Sequence, residues 1–166
     1  MKENKKSTAS VRTLTTAAII AALYVILTGL SAMLGIASGV IQVRLSEALT
    51  ILPFFTPAAI PGVTIGCLLA NLLTGAPLPD ILFGTLATLL GAIGARLLRK
   101  YKYLVPVPTI LTNALIIPLV LQYAYGVKDA FWFLFLTVGA GEVISAGIFG
   151  ILLLQILKKH RLFHAH

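Results

Sequence analysis

The chain has little charge. Of its 166 residues only 11% are Asp, Glu, Lys or Arg, and just five are acids. Hydrophobic residues make up 58%, and the mean hydropathy is +0.99. A soluble domain needs a polar surface, and this composition cannot supply one; it is that of a polytopic membrane protein. Cysteine is nearly absent. Cys67 stands alone, which excludes an internal disulfide, and it sits in an apolar run as a small buried hydrophobe. The only histidines, His160, His164 and His166, follow the last apolar segment and read as a solvated tail, not a metal site. No G-x-x-x-x-G-K-[ST] loop is present to cradle ATP phosphates, and there is no H-E-x-x-H, G-x-S-x-G or cysteine cluster. No catalytic residue, metal or cofactor is therefore expected. The duplicated halves of many secondary transporters are missing as well.

What remains is a series of apolar segments. A spanning helix needs about 20 mostly apolar residues, so the length allows about six spans. The expectation is one integral membrane domain over residues 1–166, with helices at about 11–34, 43–55, 57–75, 80–98, 106–125 and 130–157. Residues 1–10 are polar, and the first helix is expected to stay uncleaved because no A-x-A site follows it. The second helix is short because the residue before Pro57 avoids the helical region. Pro118 is expected to kink the fifth.

The cations orient this arrangement. With both termini cytoplasmic, the outer connections 35–42, 74–80 and 125–129 hold one Lys or Arg, Lys128, with Arg44 just beyond the first. The other eleven fall on the inner side, as the positive-inside rule demands. The net charge of +8 thus reads as membrane anchoring, with no nucleic-acid groove. Trp132, Tyr123 and Tyr125 fall near the outer interface.

Ionisable groups within spans cost about 2.5–3.5 kcal/mol at mid-helix on insertion scales, so each needs a partner or a cavity. Glu142 is the deepest, about 12 residues into the last helix, or roughly 18 Å. Arg44, Glu47 and Asp80 lie near outer helix ends, with Asn71, Gln122 and Tyr123 nearby and Asn113 deeper. A polar pocket opening outward would satisfy them. Plainer readings stay open: Arg44 and Glu47 pairing at i, i+3, Asp80 capping its helix, Asn71 and Gln122 as interhelical glue, and Glu142 protonated in a packed core. Gly35 and Gly39 make the loop 35–42 either a lid or a plain connector. In "TTAAIIAALY", Ala17/Ala21 and Ala18/Ala22 are small residues four apart, which suits either internal packing or docking of another membrane subunit.

With its six hydrophobic helices, its alanine pairs and no nucleotide loop, the chain resembles the substrate-binding S components of energy-coupling factor (ECF) transporters. More specifically, "QVRLSEALTILPFFTPAAIPG" (42–62), "GCLLANLLTG" (66–75) and "DILFGTLATLLGA" (80–92) look like the QueT family of queuosine-precursor transporters. The resemblance implies an all-α, S-component-like bundle in a prokaryotic cell membrane. It implies a non-catalytic subunit that takes a deazaguanine-type base from outside and works with a transmembrane T subunit and two cytoplasmic ATPases. On that reading Glu142 and Glu47 accept the solute's N–H donors, Asn71, Gln122 and Arg44 complement them, and Tyr123 or Trp132 stacks on the ring. Ala17, Ala18, Ala21 and Ala22 form the docking face. The rivals are an S component for another vitamin or heterocycle, and a scaffold subunit without solute in which the ionisable groups pair internally.

Overall fold

The structure is a computed structural model, and it describes residues 2–37 and 41–160. Gly39, His164 and His166 lie outside the described residues. The fold is all-helical among those described. It consists of α1 (Lys2–Met33), a 3-10 helix (Leu45–Phe54), α2 (Ala59–Leu73), α3 (Leu78–Leu97), α4 (Val107–Ala124), α5 (Phe131–Glu142), a π-helical stretch (Val143–Phe149) and α6 (Gly150–Lys159). The last three form one continuous rod. Four stretches are long and apolar enough to cross a membrane: Ser10–Met33, Leu78–Leu97, Val107–Ala124 and Phe131–Lys159. The 3-10 helix and α2 are shorter, with 10 and 15 residues.

Glycine ends two helices by the same device. Gly35 and Gly75 take positive φ, 71° and 70°, at the C-termini of α1 and α2. After α2 the Ala76 N–H donates to Asn71 O at 3.0 Å and the Gly75 N–H to Leu72 O at 3.2 Å; after α1 the corresponding bonds reach Ser31 and Ala32. This pairing satisfies carbonyls that a helix end leaves open, and it needs a left-handed residue that glycine supplies without steric penalty. At the other end of α1 the helix extends back to Lys2, beyond the expected start near residue 11. Pro118 is buried within α4, and the helix runs on through it to Ala124.

The expected second helix is 3-10 in form. Its residues Ser46–Pro53 are all buried, and it packs on α1, α2, α3, the π-helical stretch and α6. At a rise of about 2.0 Å per residue it reaches some 20 Å, further than an α-helix of the same length. Pro53 sits inside it. The Arg96 guanidinium, from the end of α3, donates to the Pro53 and Phe54 carbonyls at 3.0 and 3.3 Å and so satisfies its open C-terminus.

Around this central element the helices pack in sequence order, α1 on α2, α2 on α3, α3 on α4, α4 on α5. Close approach depends on small residues. A Cβ on Gly66 would lie 2.6 Å from Tyr24 Cβ, and one on Gly62 would lie 3.0 Å from Ala17 O. Ala17 and Ala21 are accordingly buried against α2, while Ala18 and Ala22 are exposed. The alanine stripe is divided: one pair packs the bundle, and the other faces outward.

Candidate functional site

The segment before the 3-10 helix is strapped across the bundle. The Val43 N–H donates to Ile36 O at 2.8 Å. Leu45 N–H donates to Ser31 Oγ on α1 at 2.9 Å, and Arg44 N–H to Ser145 Oγ on the rod at 3.0 Å. Ser145 in turn donates to Gly141 O at 2.8 Å. The Gln42 carbonyl lies where a Cβ on Gly141 would be, so only glycine lets the strap approach the rod there.

The strap delivers Arg44 and Glu47 to the interior. Glu47 is 2% exposed; one carboxylate oxygen accepts a hydrogen bond from the Tyr24 hydroxyl, and the other is buried without a hydrogen-bond partner. Glu142, at the end of α5, is 8% exposed and likewise keeps one oxygen unpartnered. Arg44, half-buried, lies within electrostatic reach of both acids and of Asp80. Asn113 of α4 stands beside Glu142 and acts on its carboxyl group, while its amide nitrogen is buried outside full hydrogen-bond geometry with any partner. Leaving a buried polar group unpaired costs about 1–3 kcal/mol, and more when it is charged. Two acceptor oxygens and one amide donor thus face the interior unsatisfied, and a solute with N–H donors and a carbonyl would pair with them.

A second group closes the same end of the bundle. Asn71 donates to the Asp80 carbonyl at 3.4 Å, and the Asp80 carboxylate accepts from the Tyr125 hydroxyl at 2.8 Å. Asp80 thus holds α3 to the end of α4. Between α4 and α5 a half-enclosed cavity of about 260 Å³ is lined by Gln42, Leu121, Asp129, Phe133 and Val138. Val138 stands one helical turn before Glu142, and neither Glu47 nor Glu142 is among the lining residues.

Other expected residues fall elsewhere. Gln122 donates to the Asp129 carbonyl at 2.9 Å and holds the turn after α4. Tyr123 and Trp132 are 87% and 71% exposed, on the outward faces of α4 and α5, where neither can stack on an interior ring. Tyr24 and Asn113 join the site without having been assigned to it. Tyr24 reads in sequence as one more core aromatic; only its packing beside Glu47 gives the hydroxyl a role.

Tyr125, just past α4, has its hydroxyl pushed up to about 12 by burial, then by the hydrogen bond and negative charge of Asp80. An unfolded tyrosine titrates near pH 10. The contribution of this group to stability is complete below about pH 10 and is lost as pH rises towards about 12, because the unfolded chain releases its proton first. Tyr125→Phe should therefore flatten part of the alkaline fall in thermal midpoint. The effect will be small, since the residue is 48% exposed. An alkaline slope equal to that of the parent chain would remove Tyr125 as its source.

Apolar helices long enough to cross a membrane, wrapped around buried acids, an arginine and amides, define a multi-pass membrane protein with a polar interior. Residues 14–159 match the family model described as QueT transporter, and the chain belongs to that family. The Queuosine precursor transporter QueT of Lactococcus lactis subsp. cremoris (strain MG1363) is 42% identical over 88 residues, which cover 52% of each chain. The chain thus spans about half the length of that relative. No solved structure matches.

Proposed function

We propose that the chain is the solute-binding membrane subunit of an ATP-driven ECF uptake transporter and takes a deazaguanine-type queuosine precursor from outside. The observation that carries this reading is the pair of buried carboxylates, Glu47 and Glu142, each with an oxygen lacking a partner, inside a QueT-family chain. A guanine-like edge offers adjacent N–H donors for a carboxylate and a carbonyl for the Asn113 amide. An aminomethyl substituent would bring a cation to the second acid. A site of buried polar groups penalises analogues that leave them unpaired.

The reading includes six membrane segments with both ends cytoplasmic, the 3-10 helix and α2 serving as the two short ones. It also includes a transmembrane T subunit and two ATPases as partners. Ala18 and Ala22, exposed on α1, support a docking face for the T subunit, and Ala17 and Ala21 are taken up by α2.

A thermal-shift panel on the purified chain, deazaguanines against vitamins and other heterocycles, tests the solute. Deazaguanines should raise the midpoint most. A larger shift with a vitamin would reassign the solute, and no shift with any compound would favour a scaffold. Ala18→Leu with Ala22→Leu should spare binding by the purified chain yet stop ATP-driven uptake once the transporter is assembled with its T subunit and ATPases. Undiminished uptake would place the docking face elsewhere.

A further inference from the structure

At the opposite end of the bundle from Asp80 and Tyr125, a recess of about 420 Å³ lies between α6 and the connection from α3 to α4. Lys102, Lys158 and Lys159 line it with Gln155 and Tyr103, and Leu154, 1% exposed, forms its inner wall. Lys102 is half-buried, and its ammonium sits 4.4 Å from the centre of the exposed Tyr103 ring. None of the lining residues is an acid. Of the five acids, Glu47, Asp80 and Glu142 are committed to the interior cluster, Asp129 lies in the turn after α4, at the other end, and Glu3 stands at the start of α1. Three ammonium groups therefore share one recess without a carboxylate among its lining residues.

The surroundings indicate what supplies the missing charge. Leu97 at the end of α3, Leu152 and Ile156 on α6, and Leu104, Tyr101 and Tyr103 in the connection are all exposed. An apolar belt, then tyrosines, then lysines is the order of a membrane–water boundary, where aromatic rings sit at headgroup level. Basic recesses between spanning helices at this level suit anionic headgroups.

We propose that this recess binds the phosphate headgroup of an anionic phospholipid, with Lys102, Lys158 and Lys159 as the cationic contacts and Gln155 as a further donor. The acyl chains would lie along the exposed face of α6. The proposal is independent of the solute assigned to the interior cluster.

The test compares the purified full chain in bilayer discs of phosphatidylcholine with and without phosphatidylglycerol. Phosphatidylglycerol should raise the thermal midpoint by about 3 °C or more. The combined Lys102→Gln, Lys158→Gln and Lys159→Gln variant should lose that rise. It should also retain less phosphatidylglycerol in native mass spectrometry. Lys→Arg at the same three positions should keep both responses, which guards against a variant that merely misfolds. A rise unchanged in the glutamine variant, or lost equally in the arginine variant, would overturn the proposal. An equal rise from inorganic phosphate in phosphatidylcholine discs would overturn it too, because the recess would then be reading a free anion.

Discussion

Glu142→Gln is expected to weaken solute binding by more than tenfold, the largest loss among single changes at the interior cluster. Tenfold corresponds to about 1.4 kcal/mol. The substitution keeps the length of the side chain and one acceptor oxygen. It puts an amide N–H₂ where an unpartnered acceptor now stands. A donor on the solute would then meet a donor on the protein, and that mismatch costs more than a missing bond. Calorimetric titration of the deazaguanine panel measures it directly. Glu47→Gln is the informative companion, because the Tyr24 hydroxyl would still find a carbonyl oxygen there. An unchanged affinity in a folded Glu142→Gln chain would take Glu142 out of the site.

The second large effect is expected at Gly141. Gly141→Ala places a methyl group on the Gln42 carbonyl oxygen, a backbone atom that cannot swing aside as a side chain could. Overpacking of this kind typically costs about 1–3 kcal/mol, which for a chain of this size lowers the thermal midpoint by several degrees. The strap that carries Arg44 and leads into Glu47 would be pushed off the rod, so affinity should fall together with stability. Gly139→Ala is the control two residues away. Its new Cβ would meet only Ala114 Cβ at 3.7 Å, an ordinary contact. That variant should match or slightly exceed the parent, because alanine favours a helix over glycine by about 1 kcal/mol. If both variants melt alike, the strap is looser than its geometry indicates.

The helical class was legible because it depends on composition. Long apolar runs with so few charges leave little alternative to membrane helices. Arg44, Glu47 and Glu142 were legible as residues needing a reason, since each is costly in an apolar segment, and the fold brings the three within reach of one another. Which way a side chain faces was harder to read. Tyr123 and Trp132 are on helices apolar all round, and only the neighbouring helices decide which stripe turns inward. The same holds for the alanines, where a one-residue step separates the buried pair from the exposed pair. The 3-10 form of Leu45–Phe54 was not legible either. Its residues are enclosed on every side, so no amphipathic period remains to reveal how tightly it is wound.

The π-helical stretch Val143–Phe149 sets the phase of the rod. Its wider turns, closed by i→i+5 bonds, hold more residues than the α-helical turns on either side. Removing one residue there would let the rod relax into a uniform α-helix, and because seven π-helical residues turn through about the same angle as six α-helical ones, everything beyond would keep its phase relative to Glu142. Leu154 would stay in the core, and Lys158 and Lys159 would keep their side of the rod. This seven-residue stretch can therefore lose one residue, whereas the regular turns of α5 and α6 cannot without turning their far ends by about 100°. Relatives of this chain that keep an acid at the position of Glu142 should therefore tolerate a single-residue gap within the stretch matching Val143–Phe149, and not in the regular turns on either side of it.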